Sequence, residues 1–399
     1  MVLHAAASLA SAVLPAGALG FVTDHPRFES AAARLGVRAD SPLAVLLATA
    51  LLVFPAAVAM SASRAVGARG RRERQRANDE NIKVVLVTGA SGGLGALIVD
   101  RLREAFPNAA VYGTSRSGVE PTSAFFASET PRRNDERNDS LETNEPSRTN
   151  LPTPLLRLDI TDEGSVQRVM DFIENTHGRL DLLVNNAGSV VATHAASTSD
   201  EDARDQFGTN FFGAVRVVRL ATRVMRHGRK RRVARDPKKK ARDFDFVAGR
   251  IVNVGSIGGR IGLPFQSMYS ASKAATMTWS DALRLELASE AIFVSLIEPG
   301  DLKPGMVNAR KAEGFDADPV AKRATDIMRA EEAVGTDPRV VAAVVERIAK
   351  SAKPNGRYLV GPDAWLVEAL GRLVPHAWKE YFLASHYRVP PRENAWIRV

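Results

Sequence analysis

From residue 82 onward, short apolar runs of strand character alternate with longer segments of helical spacing, and this alternation admits few folds. The runs fall at 83–88, 110–114, 155–159, 180–185, 250–255, 292–298 and 357–361, with helical spacing at 95–106, 165–175, 202–225 and 271–289. Near-continuous Val, Ile and Leu within a run marks a strand covered on both faces. Repeated β–α alternation then implies a parallel sheet with helices on each side. The expected class is α/β, a doubly wound parallel sheet of about seven strands.

Two stretches break the pattern. Residues 117–150 are polar and of mixed charge, with few large apolar residues after Phe125 and Phe126. Such a segment cannot bury enough to offset its ordering entropy, so a disordered surface insertion is expected. The second stretch, 227–248, is expected to be a loop. It belongs to a cluster in which Arg226, Arg229, Lys230, Arg231, Arg232, Arg235, Lys238, Lys239, Lys240 and Arg242 face a single acid, Asp236. The whole chain has a net charge of +9, and this cluster contributes that amount by itself. The basicity is therefore local. No aromatic lies within the cluster to stack bases, so nucleic acid is not an expected partner; a solvated loop near anionic lipid is.

The first eighty residues have a different texture. Residues 5–22 are Ala-rich and broken by Pro15, Gly17 and Gly20, and 43–60 form an uncharged run, LAVLLATALLVFPAAVAM. As a helix this run would reach about 27 Å, near the lower limit for a bilayer core of roughly 30 Å. Arg64, Arg69, Arg71, Arg72, Arg74 and Arg76 follow it, which would hold that end on the cytosolic side. Three readings are open: a membrane anchor, in the endoplasmic reticulum with residues 81–399 facing the cytosol; a plastid or mitochondrial targeting segment; or a soluble helix-rich extension.

There is no cysteine, which excludes disulfides, thiolate metal sites and Cys nucleophiles. The seven histidines lack zinc-enzyme spacing, and no metal site is expected.

The segment VVLVTGASGGLGALIVDRL passes from a buried strand through a glycine loop into an amphipathic helix. Thr88, Gly89, Gly93 and Gly95 set a T-G-x-x-x-G-x-G pattern. Glycines suit a sharp turn that a pyrophosphate must approach closely, and the helix beginning there offers free amides. The second strand of a dinucleotide site normally ends in an acid that binds a ribose hydroxyl. Here it ends VYGTSRS, with Arg116 in place of an acid. A guanidinium fork matches a phosphate, so NADP(H) is favoured over NAD(H), and Arg116 as a plain solvated loop residue is the alternative.

Further along, IVNVGSIGGRIGLPFQSMYSASKAA carries Ser256, Tyr269 and Lys273. Tyr and Lys four apart share one helical face, and a Ser thirteen positions earlier stands at a strand end. TGASGGLG, NNAG at 185–188, Ser256 with YSASK at 269–273, and EPG at 298–300 occur in that order. Over about residues 81–361 this set resembles the compact, single-domain branch of the short-chain dehydrogenase/reductase family, with its Rossmann-type sheet. The run GGRIGLPFQSMYSASK with IEPG is most similar to the hydroxysteroid and retinol dehydrogenases of that family.

The resemblance implies an NADP-dependent oxidoreductase that interconverts a carbonyl and an alcohol. Tyr269 would be the general acid and base. Lys273 would lower its pKa and hold the ribose hydroxyls, and Ser256 would hydrogen-bond the substrate oxygen. Asn210 would position a water leading from Lys273 to solvent. Cofactor contacts would fall to Gly89, Ser91, Gly93, Leu94, Gly95, Arg116, Asp159, Ile160, Asn186, Ala187, Gly188, Pro299 and Gly300, together with Tyr269 and Lys273. Asn185 and Asn186 would also tie neighbouring strands together. Homodimerisation through the helices of Asn210 and Tyr269 is implied as well.

The pattern departs from the family at Pro304, where many members carry a Thr that anchors the cofactor's carboxamide; proline offers neither hydroxyl nor N–H. Leu263, Pro264, Phe265 and Met268 suit a lipid, retinoid or steroid-like substrate, or else pack as core. The tail from 363 to 389 would form an amphipathic helix that closes the pocket, lies on a membrane, or packs on the domain. A catalytically silent NADP-binding scaffold is the rival functional reading, and the intact Ser–Tyr–Lys set argues against it.

Overall fold

The computed structural model describes residues 82–121, 155–235, 247–303, 310–312 and 318–389. The apolar run at 43–60, most of the 117–150 insertion, Lys238 to Arg242 and Pro304 lie outside them. The strands are β1 (Val84–Val87), β2 (Ala110–Ser115), β3 (Leu156–Arg157), β4 (Leu182–Asn185), β5 (Val190–Ala192), β6 (Gly249–Val254), β7 (Ile292–Pro299), β8 (Arg310–Ala312) and β9 (Arg357–Val360). Seven form one parallel sheet in the order β3-β2-β1-β4-β6-β7-β9, and β5 pairs with β8 in a separate two-stranded sheet. All seven expected runs are strands of the main sheet. The helices are α1 (Gly93–Ala105), α2 (Glu163–His177), α3 (Asp200–Phe207), α4 (Ala214–Arg235), α5 (Ser267–Glu286), α6 (Pro319–Val334), α7 (Pro338–Lys350), α8 (Pro362–Leu373) and α9 (His376–His386).

Alternation of side chains divides the core between the two faces of the sheet. Val84 and Leu86 of β1 join Leu183, Ile251 and Val294 on the face covered by α2 and α4, where Val169, Met170, Ile173, Val217 and Ala221 are buried. Val85 and Val87 join Leu182, Val184 and Val252 on the opposite face, against Ile98 and Leu102 of α1 and Val341, Val345 and Ile348 of α7. The strand order reverses between β1 and β4, since the chain runs outward to β3 and returns on the other side of β1. A crevice therefore opens beyond the carboxyl ends of these two strands.

Several helix starts are set by local chemistry. Asp162 caps α2 by accepting the amides of Gly164 and Ser165, both at 3.0 Å, and Gly178 ends that helix at φ 64°. Each of α6 and α7 begins with Asp-Pro: Asp318 and Asp337 are side-chain caps and the proline opens the helix.

The basic stretch differs from the expected loop. Helix α4 continues through it as far as Arg235, because four of its cations meet acids or carbonyls at the amino-terminal edge of the sheet. Arg226 pairs with Glu290, and Arg229 donates to the Glu290 carbonyl at 3.1 Å. Arg231 lies 3.8 Å from Glu174. Arg232 reaches Asp181 at 3.2 Å and also donates to the carbonyls of Val247 and Ala248. Asp181 is buried and accepts the amides of Lys83 and Val84 on its other oxygen, at 2.9 and 3.0 Å. Among the described residues no helix is long and apolar enough to cross a membrane.

Asp181 joins the first strand, Arg179 and the basic helix through one carboxylate. Asp181→Ala leaves two strand amides and two guanidinium groups without that acceptor and should lower the unfolding free energy by about 3 kcal/mol. Urea denaturation of the full chain reads this out; a loss under about 1 kcal/mol would contradict the role given to Asp181.

Candidate active site

The ends of β1 and β4 are knitted together across the crevice. Thr88 is buried, and its hydroxyl oxygen accepts the amides of Asn186 at 3.0 Å and Ala187 at 3.1 Å. The Asn186 side chain donates in return to the carbonyls of Thr88 at 3.1 Å and Gly89 at 3.0 Å. Gly89 takes φ 68°, and a Cβ there would stand 2.8 Å from the Ala187 Cα. A Cβ on Gly95 would lie 2.6 Å from the Asn186 amide nitrogen and collide with the Gly89 carbonyl. Glycine is therefore obligatory at both places. Asn185 plays the strand-tying part expected of it, donating to the Asn253 Oδ1 at 2.9 Å, while Asn253 donates to Ser280 on α5 at 2.8 Å.

These features fit a dinucleotide. No side chain caps the start of α1, where Ser91 and Gly92 are exposed while Leu94 and Gly95 are buried behind the turn. The first amides of the helix thus face the crevice mouth with the positive end of its dipole. Arg116 is exposed just past the end of β2. Asp159 is partly buried, and its Oδ1 accepts both the amide and the hydroxyl of Thr161, at 2.9 and 2.7 Å. Ile160 is buried next to it. Pro299 is buried at the end of β7, and the Gly300 amide donates to the Val360 carbonyl at 2.9 Å.

The Ser, Tyr and Lys come to one place. Ser256 ends the loop after β6, and its Oγ accepts the Gly258 amide at 3.1 Å. A Cβ on Gly258 would stand 3.3 Å from both the Ser256 Oγ and the Tyr269 ring, so the two side chains flank the same point. Lys273 Nζ lies 5.8 Å from the Tyr269 ring centroid and donates to the Val254 carbonyl at 2.9 Å. Burial lowers the Lys273 pKa to about 8 from its ordinary 10.5. On the other side, a Cβ on Gly188 would lie 3.2 Å from the Asn210 Oδ1 and 3.8 Å from Lys273 Nζ.

Asn210 sits in a short π-helical stretch, Gly208–Gly213, between α3 and α4. The expected single helix over 202–225 is therefore interrupted at this residue, and such bulges often mark functional positions. Asn210 accepts the Ser189 amide at 2.9 Å and donates to the Ser189 carbonyl at 3.0 Å and the Ser272 hydroxyl at 3.1 Å. Both amide protons are used, so one lone pair of Oδ1 is the side chain's remaining capacity. Ser272, inside YSASK, also donates to the Tyr269 carbonyl at 2.8 Å; the motif gives its position, and only the structure gives its partners.

The apolar residues after Ser256 divide. Leu263 and Phe265 pack against Ala324, Met328 and Tyr387 of the α6 and α9 region, as the core alternative holds, yet both stay partly exposed. Phe265 is held at φ 61°, with its carbonyl accepting the Thr193 amide at 3.0 Å and its ring edge-on to His194 at 5.1 Å. Beyond β7, Asp301 donates its amide to Asp363 at 2.5 Å. Burial, reinforced by Asp363, Glu331 and Glu332, pushes the Asp301 carboxyl up to about 6. The tail forms α8 and α9. Ala364 and Tyr387 are buried, whereas Trp365, Leu366, Leu373, Trp378 and Tyr381 are exposed.

The family described as short chain dehydrogenase matches residues 132–314, a range that holds Asn210, Ser256, Tyr269 and Lys273. A dehydrogenase/reductase SDR family protein 7-like chain of Anopheles gambiae is 32% identical over 74% of this chain and 81% of its own length. This chain belongs to the short-chain dehydrogenase family. A short-chain dehydrogenase structure from Streptomyces avermitilis is 26% identical, with a TM-score of 0.54, over 77% of this chain and 96% of that one. A 3-ketodihydrosphingosine reductase of Bacteroides thetaiotaomicron is 29% identical over 77% of this short-chain dehydrogenase and 98% of its own length.

A lysine with a lowered pKa gives up its proton earlier as pH rises. In the cofactor-free protein the Lys273 Cε resonance of 13C-lysine-labelled chain should therefore titrate with a midpoint near 8. A midpoint of about 10, typical of a solvated lysine, would contradict the burial described above.

Proposed function

We propose that this oxidoreductase uses NADPH to reduce the ketone of a long-chain lipid to an alcohol, with Tyr269 as the proton donor. The observation that carries the reading is the meeting of the Ser256 hydroxyl and the Tyr269 ring at Gly258, with the Lys273 ammonium beside that ring. When bound, the reduced nicotinamide supplies a hydride. Tyr269 gives its phenolic proton to the carbonyl oxygen as charge develops there. Ser256 donates a hydrogen bond to the same oxygen, which stabilises that charge. A free phenol has a pKa of about 10, and a neighbouring ammonium favours the phenolate. The Lys273 ammonium beside the ring would stabilise the negative charge left on the phenolic oxygen as the proton moves. Asn210 keeps Gly188 and Ser189 in place beside the ammonium and offers Oδ1 to a water on the path by which Tyr269 is reprotonated.

Preference for NADPH is supported by the end of β2, which presents Arg116 and no carboxylate that would repel a 2′-phosphate. An apolar substrate is supported by the partly exposed Leu263 and Phe265, and a long-chain ketone by the likeness to the 3-ketodihydrosphingosine reductase. Such a substrate resides in lipid. The exposed Trp365, Leu366, Leu373, Trp378 and Tyr381 of α8 and α9 suit the interface of a bilayer, where aromatic residues concentrate.

The test is NADPH consumption by the full chain with long-chain 3-keto amines, retinoid and steroid ketones, presented in phosphatidylcholine vesicles. Long-chain ketones should turn over best and the vesicles should co-sediment the protein. Arg116→Ala should raise the KM for NADPH about tenfold while leaving that for NADH within about twofold. Equal use of NADH by the unaltered protein would overturn the cofactor assignment, and turnover confined to small water-soluble ketones would overturn the lipid one.

A further inference from the structure

The Ser256 turn makes few hydrogen bonds of its own, and its buried residues Ile257, Gly258 and Gly259 pack against α5 near Lys273. Ile257–Gly259 is a single short turn with two glycines, closed by the Gly259 amide on the Ser256 carbonyl at 3.0 Å and the Arg260 amide on the Ile257 carbonyl at 2.9 Å. Its far end is fixed by charge. Arg260 forks onto Glu298 of β7, with Nε 2.5 Å from Oε2 and Nη2 3.0 Å from Oε1, and its Nη1 pairs with Glu368 of α8. The Glu298 side chain has 0% exposure and takes a second guanidinium, Arg357 of β9, at 3.5 Å. Arg357 in turn pairs with Asp281 of α5, the helix that carries Tyr269 and Lys273. One carboxylate thus refers the Ser256 turn, the Tyr–Lys helix and the carboxy-terminal helix α8 to a common point.

We propose that Arg260, through its fork onto Glu298, is the positioning residue for the Ser256 hydroxyl, with Glu368 tying α8 to the same group. The inference rests on the catalytic reading of Ser256 given above. A buried ion pair adds little to stability that well-packed apolar groups would not, because desolvation offsets the attraction. Its distinctive property is direction: two parallel N–H···O bonds fix both the plane and the azimuth of the guanidinium. Arg260 is four residues from Ser256, with two glycines between them. A change in the azimuth of Arg260 therefore swings the turn and the Oγ it carries.

The test separates positioning from general support. Arg260→Lys keeps the charge and loses the fork. It should bind NADPH normally and lower kcat about tenfold to a hundredfold, whereas in a Ser256→Ala background it should cost at most about threefold more. A drop that multiplies fully with that of Ser256→Ala, or a kcat within about twofold of the parent, overturns the proposal. Should Arg260→Lys fail to fold, Glu368→Gln removes only the outer arm and should show a smaller drop that likewise vanishes without Ser256.

A second arm needs no turnover. The chain has no cysteine, so Ser256→Cys places a single thiol on the turn. Arg260→Lys or Glu368→Gln should raise its reactivity toward a small disulfide several-fold as the turn loosens, and unchanged reactivity counts against the proposal. A parent protein inert toward every ketone would sink the catalytic reading and leave the thiol arm to decide this one.

Discussion

Lys273 reaches from the first turns of α5 to the Val254 carbonyl at the end of β6, and the arrangement of the centre depends on that reach. The ammonium is shielded from water, which lowers its pKa, and it lies beside the Tyr269 ring. The close packing of α5 that puts it there requires Gly259 to carry no side chain, and Gly188 leaves room beside it for Asn210. A Cβ on Gly259 would sit 2.8 Å from the Lys273 carbonyl carbon, and one on Gly188 would stand close to the ammonium itself. Two loops from different strands therefore close on one lysine, and the sheet order brings those strands together.

The sheet supplies the rest of the geometry. Parallel strands release their loops at one edge, and the reversal between β1 and β4 parts two of those loops to form a crevice. Thr88 and Asn186 keep it from widening by exchanging hydrogen bonds across its floor. On the far side, Glu298 and its two arginines set the Ser256 turn against the same sheet. The site is thus bounded by hydrogen bonds on one flank and by charge on the other, with apolar core beneath.

Strands β1, β4, β6 and β7 are legible in the sequence because they are compact runs rich in Val, Ile and Leu, and the catalytic spacing is legible because a helix turn separates Tyr269 from Lys273. Other parts were written in weaker signals. Helices α6 and α7 open on Asp318-Pro319 and Asp337-Pro338, a helix-start signal that the sequence carries in only a pair of residues each time. The π-helical stretch at Asn210 is bracketed by Gly208 and Gly213, yet no local pattern separates it from an ordinary helix. The loop expected over 227–248 is helical as far as Arg235, and the sequence does not show this because the partners of its arginines, Glu174, Asp181 and Glu290, lie far away in the chain. Glu298 looked like part of a motif; its burial and its two arginines are visible only in three dimensions.

All of this converges on one proton. Tyr269→Phe removes the hydroxyl and leaves the ring, the lysine and the cofactor cleft in place. In single-turnover reduction of a long-chain ketone by bound NADPH, the variant should lose about a thousandfold in rate while its affinity for NADPH stays within about threefold of the parent. A rate within about tenfold of the parent would mean that the proton comes from elsewhere, and the account of this centre would fail.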